Sequence, residues 1–268
     1  MDLPIYIVDA FTEVPFRGNP AGVCICPSDL DDRCRQSIAN ELNLSETAFV
    51  EDRGDSNYGL RWFTPTHEVS LCGHATLASA HILRTERSAS SKLMFHTLSG
   101  ILTTRHSGED IEMDFPSEFV TPSGKVEEFS AALGKTPSFI GEGESFWLCE
   151  LESEAAVRNL EPSLSLIASM GKTGLIVTAI SDSEAEDFVS RVFAPCVGVP
   201  EDPVTGSAHC VLATYWSKKL GKTKLVGYQA SKRGGQVKMD FLGARTLLYG
   251  TAHTVLKGFI STVLSMSA

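Results

Sequence analysis

No apolar run in this 268-residue sequence approaches the ~20 residues that a bilayer-spanning helix needs. Basic residues are in deficit: 23 Lys and Arg stand against 33 Asp and Glu, a formal net charge of −10. That balance argues against nucleic-acid binding and against docking on an anionic membrane surface. Local helix termini can still bind a small anion. A disulfide framework is missing too. The seven cysteines are odd in number and scattered from Cys24 to Cys210, in a chain large enough to bury a core without staples. Met1-Asp2-Leu3-Pro4 opens acidic and lacks the basic start of a secretory signal. Free thiols in a reducing cytoplasm are therefore expected.

The most telling absence is local. Val69–Leu83 and Val204–Ser217 contain no Lys, Arg, Asp or Glu. A surface helix carries polar residues along one face, so a helix without them is expected to be buried. Each stretch follows the same pattern at the same spacing, Arg61-Trp62-Phe63-Thr64-Pro65 and Arg191-Val192-Phe193-Ala194-Pro195. Two buried helices with matched upstream strands predict a duplicated domain, each half wrapping a sheet around a helix.

The remaining periodicity fits that plan. Strands are expected at Ile5–Val8, Ala21–Cys26, Thr47–Val50 and Tyr58–Phe63, with a helix from about Asp31 to Leu42. Short strands at hairpin spacing follow at Lys92–His96, Gly100–Arg105 and Ile111–Phe115. A Pro- and Gly-containing linker over 116–125 divides the halves, giving expected domains 1–116 and 117–257. The second half reads as a helix at Val126–Leu133, strands at Phe146–Leu151, Leu175–Ile180 and Phe188–Phe193, and a helix near Pro162–Met170. Strands close it near Leu225–Gln229, Gln236–Phe241, Thr246–Tyr249 and His253–Lys257.

Chemistry is expected where the buried helices begin. Gly73 and Gly206 stand at the two helix starts, where unpaired N–H groups and the helix dipole favour a carboxylate. Glycine there lets a ligand approach the backbone, although either one alone reads equally well as a turn residue. His74 and Ser207 come next, in corresponding places. His74 is a potential proton shuttle or a core histidine, and Ser207 a substrate ligand or a cap. Asp202, held extended by Pro203, anchors the loop or acts as an acid/base group. Glu46 alone reads as a surface glutamate. Three sharper readings fail. His67, His74 and His81 recur every seven residues, but no carboxylate or thiolate completes a metal site in that pattern. Cys24-x-Cys26 lies within a strand, and Gly171-Lys172-Thr173 and Gly221-Lys222-Thr223 have Leu166 and Trp216 where a phosphate loop requires glycine. No metal and no cofactor are expected.

Several motifs together carry a family resemblance. Asp9-Ala10-Phe11-Thr12, Phe16-Arg17-Gly18-Asn19-Pro20-Ala21, Asn43-Leu44-Ser45-Glu46-Thr47-Ala48-Phe49 and Cys72-Gly73-His74-Ala75-Thr76 resemble the phenazine-biosynthesis-like (PhzF) family. So do Glu201-Asp202-Pro203-Val204-Thr205-Gly206-Ser207-Ala208-His209 and Gln229…Arg233-Gly234-Gly235. The match runs end to end, and its arrangement is similar to the eukaryotic phenazine-biosynthesis-like domain proteins. The resemblance implies an α+β, diaminopimelate epimerase-like fold: two duplicated domains, each a mixed sheet rolled around a central helix, with the site in the cleft between them. The last strand, about 258–268, is expected to cross back to the first domain. It also implies a homodimer that uses no cofactor and a small-molecule carboxylate as partner; the family's characterised bacterial member isomerises a dihydro-hydroxyanthranilate by moving a proton.

Carried over by motif, Glu46 is the general base, His74, Asp202 and Ser207 assist, and the Gly73 and Gly206 amides hold the substrate carboxylate. Related racemases place a cysteine immediately before each helix glycine. Here Cys72 fills one place and Thr205 the other, and a threonine hydroxyl is a poor acid/base. The expected activity is therefore a cofactor-independent isomerase with a carboxylate base, whose pKa desolvation must raise. The alternatives are an epimerase using Cys72 and a binding protein with a vestigial cleft.

Overall fold

A computed structural model describes residues 2–262. The chain forms two compact units, residues 1–113 together with the segment from Gly250 onward, and residues 114–249. In the first unit the elements run β1 (Asp2–Ala10), β2 (Asn19–Ile25), α1 (Asp32–Leu42), β3 (Glu46–Asp52), β4 (Asn57–Phe63), β5 (Glu68–Val69), α2 (Gly73–Arg87), β6 (Lys92–Thr97), β7 (Gly100–Ser107) and β8 (Asp110–Pro116). β1 pairs antiparallel with β2, β2 parallel with β3, β3 antiparallel with β4 and β4 parallel with β6; β6, β7 and β8 form a meander. The parallel pairs need crossovers, which α1 and α2 supply.

Helix α2 is buried from His74 to Ala80 and again at Ile82 and Leu83, and it packs on β1, β2 and β3. Each large apolar side chain so buried, such as Leu77 or Ile82, contributes ~1.5–3 kcal/mol. Its charges are confined to the last turn, where Arg84 and Arg87 complement the helix dipole. A second cluster, Leu3, Ile5, Cys24, Ile38, Phe49 and Phe63, fills the space under α1.

The second unit repeats the plan: β9 (Thr121–Pro122), α3 (Val126–Leu133), β10 (Phe139–Glu142), β11 (Phe146–Glu150), α4 (Glu154–Arg158), α5 (Leu164–Ala168), β12 (Gly174–Ile180), β13 (Phe188–Ala194), β14 (Val199–Asp202), α6 (Gly206–Leu220), β15 (Lys224–Gln229), β16 (Gly235–Phe241) and β17 (Arg245–Gly250). β10 to β11 is antiparallel, β11 to β12 parallel, β12 to β13 antiparallel and β13 to β15 parallel, with β15, β16 and β17 as the meander. This is the pairing order of the first unit. The recurring Arg-x-Phe pattern has a physical reason. Arg61 on β4 donates to both carboxylate oxygens of Glu68 on β5, at 2.6 and 2.7 Å, and covers the Phe63 ring at 5.2 Å. Arg191 on β13 does the same to Glu201 on β14, at 2.7 and 2.9 Å, over Phe193 at 4.9 Å. Planar two-pronged donation of this kind fixes one strand against the next.

Three details differ from the sequence-based expectation. The chain returns to the first unit at Gly250, and β18 (Ala252–Ser261) pairs antiparallel with β1 along its whole length. The strand expected at His253–Lys257 therefore belongs to the first unit; of the segment expected to cross back, 263–268 lie outside the described residues. The helix expected near Pro162–Met170 is a single turn, α5, because Pro162 and the Ser163 cap start it late. A separate turn, α4, precedes it. The two short strands β5 and β14 are too brief to show periodicity. All seven cysteines are free thiols. Among the described residues, no helix is long and apolar enough to cross a membrane.

Candidate functional site

Three elements of the first unit bring their ends together. α1 stops at Asn43, whose left-handed conformation (φ 49°) turns the chain and lets β3 begin at Glu46. β2 begins at Asn19, which is fully buried, after a turn through Gly18. Gly18 has φ 64°, and a Cβ there would lie 2.1 Å from the Ala10 carbonyl oxygen, so only glycine is accommodated. β2 and β3 are parallel with Ala21 opposite Glu46, so Asn19 lies two residues before the position facing Glu46, and α2 presents Cys72, Gly73 and His74 from its first turn.

His74 is the hub of this cluster. Asn19 Nδ2 lies 3.3 Å from its Nδ1 and Glu46 Oε2 lies 3.2 Å from its Nε2. With the Asn19 amide donating to Nδ1, the imidazole proton sits on Nε2, the nitrogen that faces the Glu46 carboxylate. Burial pushes the His74 pKa down to about 3. The ring is thus neutral at pH 7 and is a poor base. Glu46 keeps 19% of its side chain exposed against 6% for His74, so the carboxylate is the more accessible of the two. Cys72 Sγ stands 3.5 Å from His74 Nδ1.

Ligand atoms of Glu46, Cys72 and His74 lie within 4.8 Å of one another, the one such group of three among the described residues. A carboxylate, a thiolate and an imidazole suit zinc. Both imidazole nitrogens are already engaged by protein groups, so a metal would have to displace one of them. The sequence pattern hid this grouping because Glu46 comes from a different strand. The histidines spaced by seven do not share a site: His67 bonds Thr66 at 3.0 Å and His81 bonds Thr254 at 2.9 Å.

The second unit builds a different cluster on the same plan. Asp202 ends β14, Thr205 is the N-cap of α6, and Gly206 and Ser207 open the helix. Thr205 Oγ1 donates to Asp202 Oδ2 at 2.5 Å. Its backbone N–H donates to Gln229 Oε1 at 2.9 Å, and Gln229 Nε2 donates to the Asp202 carbonyl at 2.7 Å. Ser207 is exposed and Gly206 buried. His209, which follows Ser207 by two residues, is fully buried and donates from Nδ1 to the Thr205 carbonyl at 2.8 Å. It is a core histidine.

Both helices begin without a side-chain cap, from Cys72 and from Thr205. A threonine at an N-cap ordinarily accepts from a first-turn amide; here its hydroxyl proton goes to Asp202 instead. The eight residues singled out in the sequence therefore fall into two groups of four: Glu46, Cys72, Gly73 and His74 in one unit, Asp202, Thr205, Gly206 and Ser207 in the other. Sequence reasoning assigned no role to Asn19 or Gln229. The available signal was a short amide inside each family motif, at a strand end, where a buried polar group must find partners.

A family model for the phenazine biosynthesis-like proteins matches residues 8–258. The chain is 50% identical to a protein of Halalkalibacterium halodurans described as an uncharacterized isomerase, over 96% of this chain and 98% of that one. It is 42% identical to the phenazine biosynthesis-like domain-containing protein of Rattus norvegicus, over 97% of this chain and 100% of that one. Among solved structures, a PhzF-family protein of Enterococcus faecalis superposes with a TM-score of 0.93 at 41% identity, covering 98% of this chain and 100% of the other. Epimerases and racemases of much lower identity share the duplicated α+β fold. The chain belongs to the phenazine-biosynthesis-like PhzF family.

Proposed function

We propose that this protein is a cofactor-independent isomerase that moves a proton on a small cyclic or amino-acid-like carboxylate, with Glu46 as general base. The observation that carries the reading is the arrangement around His74: a neutral, buried imidazole lies 3.2 Å from a partly exposed carboxylate, leaving Glu46 as the group able to take a proton. Glu46 removes the proton from an acidic substrate C–H and becomes the carboxylic acid; the proton then returns to another carbon of the same substrate. Asp202 and Ser207 assist transfer and hold substrate oxygens, and the Gly73 and Gly206 amides receive the carboxylate. Cys72 and Thr205 contribute surface beside those amides. The description of the Halalkalibacterium halodurans relative as an isomerase supports the reaction class. The same reading makes the protein a cytoplasmic homodimer.

The test is a thermal-shift screen of cyclic and amino-acid carboxylates, followed by proton NMR in deuterated water on the compounds that stabilise the protein. Isotope exchange and isomerisation are expected with wild type. Glu46→Gln should retain binding and folding and lose turnover by at least 100-fold; an unchanged rate removes Glu46 from the role of base. One observation favours a second reading, an epimerase: Cys72 Sγ lies 3.5 Å from His74 Nδ1, within the same cluster. In that case deuterium enters at a stereocentre and Cys72→Ala abolishes the reaction.

A further inference from the structure

Gln229 is fully buried at the end of β15, where its strand pairs parallel to β13 and antiparallel to β16. Its orientation is set by partners of fixed polarity. The Thr205 backbone N–H can only donate, so the atom facing it at 2.9 Å is the carbonyl Oε1. The Asp202 backbone carbonyl can only accept, so the atom facing it at 2.7 Å is the amide Nε2. Nε2 then has a second proton, which points at Thr205 Oγ1 at 3.2 Å. A hydroxyl that accepts there sends its own proton elsewhere, and Asp202 Oδ2 at 2.5 Å receives it.

We infer that Gln229 is a positioning residue that fixes the direction of the hydrogen-bond chain from its amide through the Thr205 hydroxyl to the Asp202 carboxylate. The amide cannot ionise or reverse, so Asp202 Oδ2 is held as an acceptor, which favours the deprotonated carboxylate. The same clamp withholds the Thr205 hydroxyl from the first turn of α6, so Thr205 does not cap those amides. Gln229 thereby acts on two groups without touching a substrate: it favours the Asp202 carboxylate and keeps the Thr205 hydroxyl from capping the helix. The structural argument stands on the chain itself; its catalytic consequence rests on the proposed isomerase reading.

The inference is tested in the full-length protein by following the Asp202 carboxyl carbon through a pH titration by NMR, a readout that needs no substrate. Thr205→Val removes the donor. The Asp202 midpoint should rise by more than half a pH unit relative to wild type. Gln229→Glu replaces the donating amide by a carboxylate that must accept from the same hydroxyl, and should raise the midpoint similarly. Thr205→Val combined with the uncharged Gln229→Leu should show no more than the larger single effect, because both act through one hydroxyl. Unmoved midpoints, or additive ones, overturn the proposal. If Gln229→Glu fails to fold, Thr205→Val and the melting temperature of Gln229→Leu carry the test: Gln229→Leu should remain folded with a raised midpoint. On an isomerase substrate, Gln229→Glu should lower kcat at least tenfold, shift the acid limb of its pH profile upward and change KM less than threefold. Shifted midpoints without any turnover in wild type would retain the positioning role and reject the isomerase reading.

Discussion

Glu46 and Gly174 hold the same place in two copies of one sheet. Each immediately precedes the residue that pairs with the phenylalanine of an Arg-x-Phe strand: Thr47 opposite Phe63, Leu175 opposite Phe193. By the same register Val69 matches Asp202, since they pair with Trp62 and Val192. Each copy has thus kept one carboxylate that the other lacks. At Gly174 a Cβ would stand 2.6 Å from the Phe193 carbonyl oxygen, so the second copy has no room for any side chain there. Gly174→Ala should lower stability by ~2–4 kcal/mol in urea unfolding through overpacking against backbone. A loss below 0.5 kcal/mol would mean that the site yields easily.

The Asn19 amide faces His74 Nδ1 at 3.3 Å, and its control of the ring's tautomer can be measured. Asn19→Asp places an acceptor at Nδ1, draws the ring proton there and stabilises the imidazolium. The His74 midpoint in a proton NMR titration should rise clearly above its value of about 3 in the wild-type protein. Turnover should fall by roughly 100-fold, the scale of a lost acid–base contribution. An unshifted midpoint would show that the amide does not control the ring.

Acid should weaken the fold earlier than carboxylate protonation alone requires. Burial depresses His74 to about 3 and His209 to about 4, against 6.5 for an ordinary histidine. Between those values the unfolded chain binds more protons than the native one, so the stabilising effect is complete above pH 6.5 and drains away as pH falls. Each histidine contributes a slope of ~1.4 kcal/mol per pH unit in that window. Urea midpoints measured from pH 7.5 to 4.5 should show it. His209→Leu should be less stable than wild type at pH 7.5, through loss of the Thr205 bond, yet lose stability less steeply below 6.5.

Cys72 and Thr205 separate the isomerase from the racemase reading. The two residues occupy matched N-cap positions, but only one is a thiol. Cys72→Ala is expected to leave at least a third of the isomerase turnover. Loss of more than 100-fold, measured as deuterium entering at a stereocentre, would assign the chemistry to the thiol. A chelator should leave the rate unchanged.

Much of the fold is legible in sequence because its signals are local. The helices α2 and α6 announce themselves by fourteen or more residues without charge, and the hairpins β6–β8 by short apolar runs at regular spacing. Two-residue β5 has no period to detect, and β18 looks like a continuation of the second meander until its pairing with β1 is seen. The site divides along the same line. Gly73 and Gly206 follow from their place before a buried helix. Glu46 has no local mark of function beyond its family motif. Asn19 and Gln229 act on partners 55 and 24 positions away, and no property of either residue alone states which proton it directs.

The return of β18 to β1 has a consequence for the order in which the protein is made. Residues 114–249 form a unit from one uninterrupted stretch of chain, whereas the unit that holds Glu46 and His74 lacks its final strand until residue 261 has left the ribosome. During synthesis β1 waits with an open edge while the rest of the chain is added, and such edges invite pairing with other chains. The unit that holds the proposed base is thus completed only after the whole of residues 114–249 has been synthesised.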